Sequence, residues 1–231
     1  MRVSALAFVL TAAFLAGCGS SHSKSETPNG EAAKPAARVL ADTKAAATKA
    51  SSVHVSGNIH SGGTPITLDL MMAGARGAKG SMSTNGLEFD LVRIGGTAYI
   101  RGSDAFYKHF AGAAVAQLIH GKWLKASVAK GRFRSLAPLT SIGLLFAQVS
   151  SSHGKLVNDG KATYKGQQVV TIRDTSDNSK LYVAATGKPY PVAIVGGKTG
   201  ASGTITFGDW NESVSLSAPN DAIDISRLGV G

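Results

Sequence analysis

The sequence predicts an α+β fold: a single curved antiparallel sheet of about eleven strands with helices packed on its concave face. Three observations carry that expectation. Segments in which every second residue is apolar recur through most of the chain, the pattern of half-buried strands. Twenty-eight glycines among 231 residues punctuate those segments at turn spacing. Three stretches change to helical periodicity, and two of them fall together between the two halves of the strand pattern.

The N-terminal residues stand apart. Arg2 precedes an almost uninterrupted apolar run from Val3 to Leu15. This is shorter than the ~20 residues of a membrane-spanning helix and has the length and flanks of a secretory signal. It ends in Leu15-Ala16-Gly17-Cys18, and Cys18 is the only cysteine in the chain. The four residues resemble a bacterial lipobox. The resemblance implies a diacylglyceryl group on the Cys18 thiol, cleavage after Gly17, and a mature protein anchored to a membrane outside the cytoplasm. The expected organisation is a signal peptide over 1–17, a lipidated cysteine with a flexible tether over 18–35, and one domain over 36–231. The tether, rich in Ser, Gly, Pro and charge, has too little apolar surface for a core.

Ala36 to Ala50 is predicted as a helix, with Pro35 at its start and Val39, Thr43, Ala46 and Ala50 along one face. Strands follow at Ser52–Ser61 and Thr64–Met72. Ala73 to Gly80 reads as a loop. Asn85-Gly86, a strong hairpin signal, joins Gly80–Thr84 to Leu87–Ile94, and Gly95-Gly96 leads into Thr97–Arg101. A helix is expected from Asp104 to His120, capped by Ser103 and stopped by Gly121. A short strand at Gly121–Lys125 and a second apolar helix over about Leu136 to Ser151 follow. Strands are then expected at Lys161–Tyr164, Gln168–Arg173, Lys180–Ala185, Tyr190–Val195, Gly203–Phe207 and Ser213–Ser217, with a turn at Asp159-Gly160.

The chain carries 24 Lys and Arg against 14 Asp and Glu, a formal charge of +10, with its densest cationic stretch from Lys122 to Arg134. The pattern fits a solvated basic surface. Few aromatics stand beside basic residues, so no nucleic-acid partner is expected. Metal chemistry finds no support. His54 and His60 share a strand face but lie ~20 Å apart along it, and His109 and His120 lie ~16 Å apart along a helix. Gly197-Lys198-Thr199 lacks the upstream glycine and following helix of a phosphate loop, and no nucleophile elbow occurs. No enzyme activity, cofactor or metal is expected.

The order of features, from the lipobox through "ASSVHVSGNI", "LVRIGGTAYIRG" and "GKWLKA" to "KLYVAATGKPYPVAI", resembles the LolA/LolB-like superfamily, closest to the actinobacterial LppX/LprG-type lipoproteins. The resemblance covers roughly Ala36 to the C-terminus. It implies a half-open β-barrel closed by helices, with an apolar cavity for the acyl chains of a lipid or glycolipid, in a monomeric carrier. Strand and helix facing then assigns the cavity to Leu68, Leu70, Leu87, Phe89, Leu91, Phe106, Phe110, Leu118, Leu139, Ile142, Leu145, Phe146, Val170 and Ile172. Arg93, Arg101 and Lys108 are expected at a rim that meets the headgroup. The alternative is a non-catalytic envelope adaptor with a solid core that binds a protein or cell-wall glycan.

Overall fold

The computed structural model describes residues 27–128, 141–149, 153–197 and 202–225. The predicted export signal, Cys18, the start of the predicted tether, Lys130–Arg134 of the basic stretch, Leu139, and Lys198 and Thr199 lie outside them.

Twelve strands form one open, curved sheet. They are β1 (Val53–Ser61), β2 (Thr64–Met72), β3 (Gly77–Thr84), β4 (Leu87–Ile94), β5 (Thr97–Gly102), β6 (Leu124–Ser127), β7 (Leu156–Tyr164), β8 (Gln167–Asp174), β9 (Lys180–Ala184), β10 (Pro191–Val195), β11 (Ser202–Gly208) and β12 (Ile223–Asp224). Their order is β12-β6-β5-β4-β3-β2-β1-β11-β10-β9-β8-β7, so the two halves of the chain meet at β1 and β11. Every pair is antiparallel except the two-residue parallel pair β12–β6, which makes the sheet mixed. Strands β7 and β12 are its free edges, so the barrel is half-open.

Register aligns one apolar face across the sheet. Val55 opposes Leu70 and Phe207, Leu70 opposes Gly80, Gly80 opposes Leu91, and Leu91 opposes Ile100. Helices α1 (Ala36–Lys49), α2 (Asp104–Ala111), α3 (Ala113–Ile119) and α4 (Ile142–Val149) cover this inner face. Helix α1 crosses from β8 and β9, through Ala36 and Val39, to β1, through Ala47. Helices α2 and α3 cover β4 to β6.

Several elements differ from expectation. The helix predicted over Asp104–His120 is broken at Gly112, whose backbone (φ 80, ψ 162) leaves the helical region. Strand β3 begins at Gly77 because Gly77 and Gly80 take φ 147 and φ 152, extended conformations that other residues avoid. Asp159-Gly160 is a bulge inside β7, not a turn. Ser213–Ser217 forms no strand; Val214 is buried there, and its carbonyl accepts a hydrogen bond from Arg76. The C-terminal strand is β12 instead.

Residues 27–34, expected as the end of a tether, pack on the sheet. The backbone N–H of Asn29 donates to Ala185 and that of Gly187 to Thr27. Glu31 is 2% exposed, and the Asn158 amide donates to the carbonyls of Glu31 and Lys34. The chain therefore enters the domain beside the C-terminal end of β9. Register places that end with Val53 and Gly208, opposite the end that carries Ile59, Ile66 and Leu87.

Candidate functional site

The inner face is packed differently in its two halves. Under α1 and α4 the packing is tight. Val39, Ala47, Val53, Val55, Leu70 and Met72 are fully buried, and Ile142, Leu145 and Phe146 of α4 are nearly so. Leu68 belongs to the same cluster, while Val170 and Ile172 pack under the N-terminal half of α1. The space left between α1, α4 and β7–β10 is about 70 Å³, lined by Leu40, Phe146, Leu156, Ile172, Leu181 and Ile194. Small-molecule sites occupy ~300–1,000 Å³. Seven of the predicted cavity residues thus lie in or beside a filled core.

The half over β4 to β6 is more open. Leu91, Ala98 and Ile100 are buried, with Phe106 packed over them. Leu87, Phe89 and Phe106 stay half-buried, and Phe110 is 48% exposed. The Phe106 ring lies 5.1 Å from that of Phe89 and 4.6 Å from that of Phe110, so the three form one aromatic row. Ile59, Ile66 and Met82, also half-buried, continue the apolar surface along the same strand ends. We call this the open apolar end.

Local sequence fixes the row. Ser103 caps α2 by accepting the Phe106 N–H at 3.3 Å. The buried Tyr107 hydroxyl accepts from the Gly102 N–H and donates to the Lys122 carbonyl at 2.6 Å, which ties α2 to β5 and to the loop before β6. Burial raises its pKa. Gly102 is required under Phe106, because a Cβ there would sit 2.3 Å from the ring.

The other predicted residues scatter. Leu118 of α3 is 78% exposed, beside the buried Ile119. Leu144 of α4 is 54% exposed; Leu144, Leu145 and Phe146 follow one another, so the apolar pattern of α4 does not single out its outward side. The three predicted rim cations do not share a rim. Arg93 sits on the inner face opposite Ala78 and Ala98, at the end of the sheet away from the open one. Arg101 lies three residues beyond Ala98, an odd step along a strand, and so faces outward, where it pairs with Asp90. Lys108 is exposed on α2.

Two histidines find carboxylates. His54 Nε2 lies 2.9 Å from Asp69 and its Nδ1 3.4 Å from Asp209, while His120 Nδ1 lies 2.6 Å from Asp104. No group of three metal-ligating side chains occurs among the described residues. Near the small inner space, Asp174 accepts hydrogen bonds from the side chain and backbone of Ser176 and from the Gly154 N–H, and these hold its pKa below the usual carboxylate value.

The chain matches no protein-family model, and no curated protein matches it in sequence. Solved structures do match. LprF from Mycobacterium bovis is 16% identical, with a TM-score of 0.53 over 85% of this chain and 99% of that one. The Mycobacterium tuberculosis lipoprotein LppX is 17% identical, with a TM-score of 0.49 over 78% of this chain and 99% of that one. A LolA superfamily protein from Nitrosomonas europaea is 7% identical, with a TM-score of 0.29 over 79% and 95%. The open sheet covered by helices on one face is thus a fold that this chain shares with LprF.

Proposed function

We propose that the protein is a membrane-anchored bacterial envelope lipoprotein that binds, and passes on, an amphipathic lipid or glycolipid. The open apolar end carries this reading: a row of three aromatic rings and several aliphatic side chains stays partly uncovered beside a filled core. The fold shared with LprF, and the lipobox at Cys18, support it. In this reading acyl chains lie against Leu87, Phe89, Phe106 and Phe110, and the headgroup remains in water near Lys108. At ~25 cal/mol per Å² of apolar area removed from water, one chain offers several kcal/mol. The Cys18 acyl groups hold the protein at an extracytoplasmic membrane surface, and no step makes or breaks a covalent bond in the ligand.

The filled half under α1 and α4 favours the second reading, an adaptor with a solid core. Native mass spectrometry of the protein purified from its own membranes separates the two. A bound mass in the lipid range supports the carrier. Repeatedly empty protein, with no saturable uptake of a fluorescent acyl probe after delipidation, overturns it.

A further inference from the structure

The outer face of the sheet holds a trough that lipid binding leaves unused. Register lays two polar rows across it. Thr67, Ser83 and Glu88 lie abreast in one row, and Asp69, Ser81, Asp90 and Arg101 in the next. Neighbours within a row stand ~4.5–5.5 Å apart, and the rows are ~6.6–6.8 Å apart. Where β5 ends, Ser103, Asp104 and His120 wall the trough, Met82 and Phe89 of the open apolar end also line it, and this recess measures about 530 Å³. A second recess of about 390 Å³ shares Ser81, Asp90 and Arg101 and runs on to Trp123. Both have the size of ligand sites.

The chemistry of the walls selects among ligands. Arg101 donates to Asp90 through Nε at 3.2 Å and Nη2 at 2.8 Å, and its guanidinium carbon stands 4.9 Å from the Trp123 ring centroid. Asp104 is paired with His120, and Asp69 with His54. The two remaining charges, Glu88 in one recess and Lys79 in the other, are of opposite sign, so the trough as a whole favours neither an anion nor a cation. A sugar hydroxyl both donates and accepts, and it finds carboxylate acceptors, guanidinium donors and the two-way hydroxyls of Thr67, Ser81 and Ser83 in one surface. The clamp of Asp90 and Trp123 on Arg101 reduces the ordering cost of binding. We propose that this trough binds a neutral glycan chain. The proposal rests on the polar rows of the outer face and not on the lipid reading, and because Met82 and Phe89 also line the recess, acyl-probe uptake is read separately.

The test is titration of isotope-labelled protein with neutral hexaoses of glucose, mannose, galactose and arabinose, followed by NMR, with a heparin hexasaccharide and spermine as charged controls. At least one neutral hexaose is expected to give saturable shifts of the Trp123 indole N–H and of the Ser81, Asp90 and Arg101 amides. Arg101→Ala should weaken that binding by about tenfold or more, as loss of hydrogen bonds from a charged group does. Ser81→Trp, which fills the trough from an exposed position, should abolish it, and acyl-probe uptake should be unchanged in both variants. Should one variant misfold, the other decides. The proposal is overturned if no hexaose moves these resonances, if binding survives the folded variants unaltered, or if a charged control binds more tightly than every hexaose.

Discussion

Substituting tryptophan for leucine at two positions locates the lipid. Leu145 on α4 is 6% exposed and packs in the cluster formed by Ile142, Phe146 and the middle strands. With only about 70 Å³ free nearby, Leu145→Trp overpacks this core, at a cost of ~1–3 kcal/mol. For a domain of this size each kcal/mol lowers Tm by ~2–4 °C, so a fall of about 2–12 °C is expected. Leu87 stands half-buried at the start of β4 on the inner face. Leu87→Trp finds open space, so its stability should stay within ~0.5 kcal/mol of wild type. Scanning calorimetry of delipidated protein reads the first effect. Titration with a fluorescent fatty-acyl probe reads the second, and there Leu87→Trp should lower uptake while folded Leu145→Trp should not. The opposite pattern, an unshifted Tm with lost uptake in Leu145→Trp and full uptake in Leu87→Trp, would refute the reasoning and put the acyl chains beneath α4.

Three further outcomes are expected. Cys18→Ala should abolish both lipid labelling and processing of the precursor in a bacterial host; a variant that keeps the label would disprove the lipobox. Asp174 has a lowered pKa through its hydrogen bonds from Ser176 and Gly154, so its contribution to stability is full above the unfolded carboxylate pKa of about 3.9 and is lost as the pH falls through the lower folded value. Asp174→Asn should therefore melt below wild type at neutral pH, the gap closing in acid; a pH-independent gap would refute the assignment. Gly80→Ala would place a Cβ 2.0 Å from the Asp69 carbonyl oxygen at a φ of 152 and should cost more than ~1 kcal/mol in urea unfolding.

The strands and their inner face were largely legible, because alternation and hairpin glycines are local signals. Asn85-Gly86 and Gly95-Gly96 mark real connections, and the Val55–Leu70–Leu91–Ile100 face follows from period two alone. Glycine misled where its freedom serves a strand. Gly77 and Gly80 continue β3 in conformations that look like loop when read from composition. Gly112, which divides α2 from α3, sat inside an unbroken apolar stripe, where a glycine costs a helix only ~1 kcal/mol and so gave no stop signal. The site was harder. Periodicity reports which way Leu145 and Phe89 face, but not that α4 presses on one while the other lies at an open end. That difference depends on which helix covers which strands, and so on contacts distant in sequence. Arg93 and Arg101, both expected at one rim, stand on opposite faces, because Arg93 opposes Ala98 and the step from Ala98 to Arg101 is odd.

The place where the chain enters the domain has a mechanical consequence. Eight residues lie between Cys18 and Thr27, and this leash of nine residue steps spans at most ~30 Å. Thr27 is fastened beside the C-terminal end of β9, opposite the strand ends that carry Leu87 and Ile66. A nine-residue strand such as β1 is itself ~30 Å long. In the proposed anchored form, a domain resting on its attached end has its aromatic row pointing away from the bilayer that holds Cys18. Turning that row down to the same bilayer would use nearly the whole ~30 Å span available between Cys18 and Thr27. If Cys18 carries the proposed anchor, the attachment has a polarity: release toward the outside is then the relaxed posture, and loading from the home membrane the strained one. Lengthening the leash should speed loading and leave outward delivery unchanged.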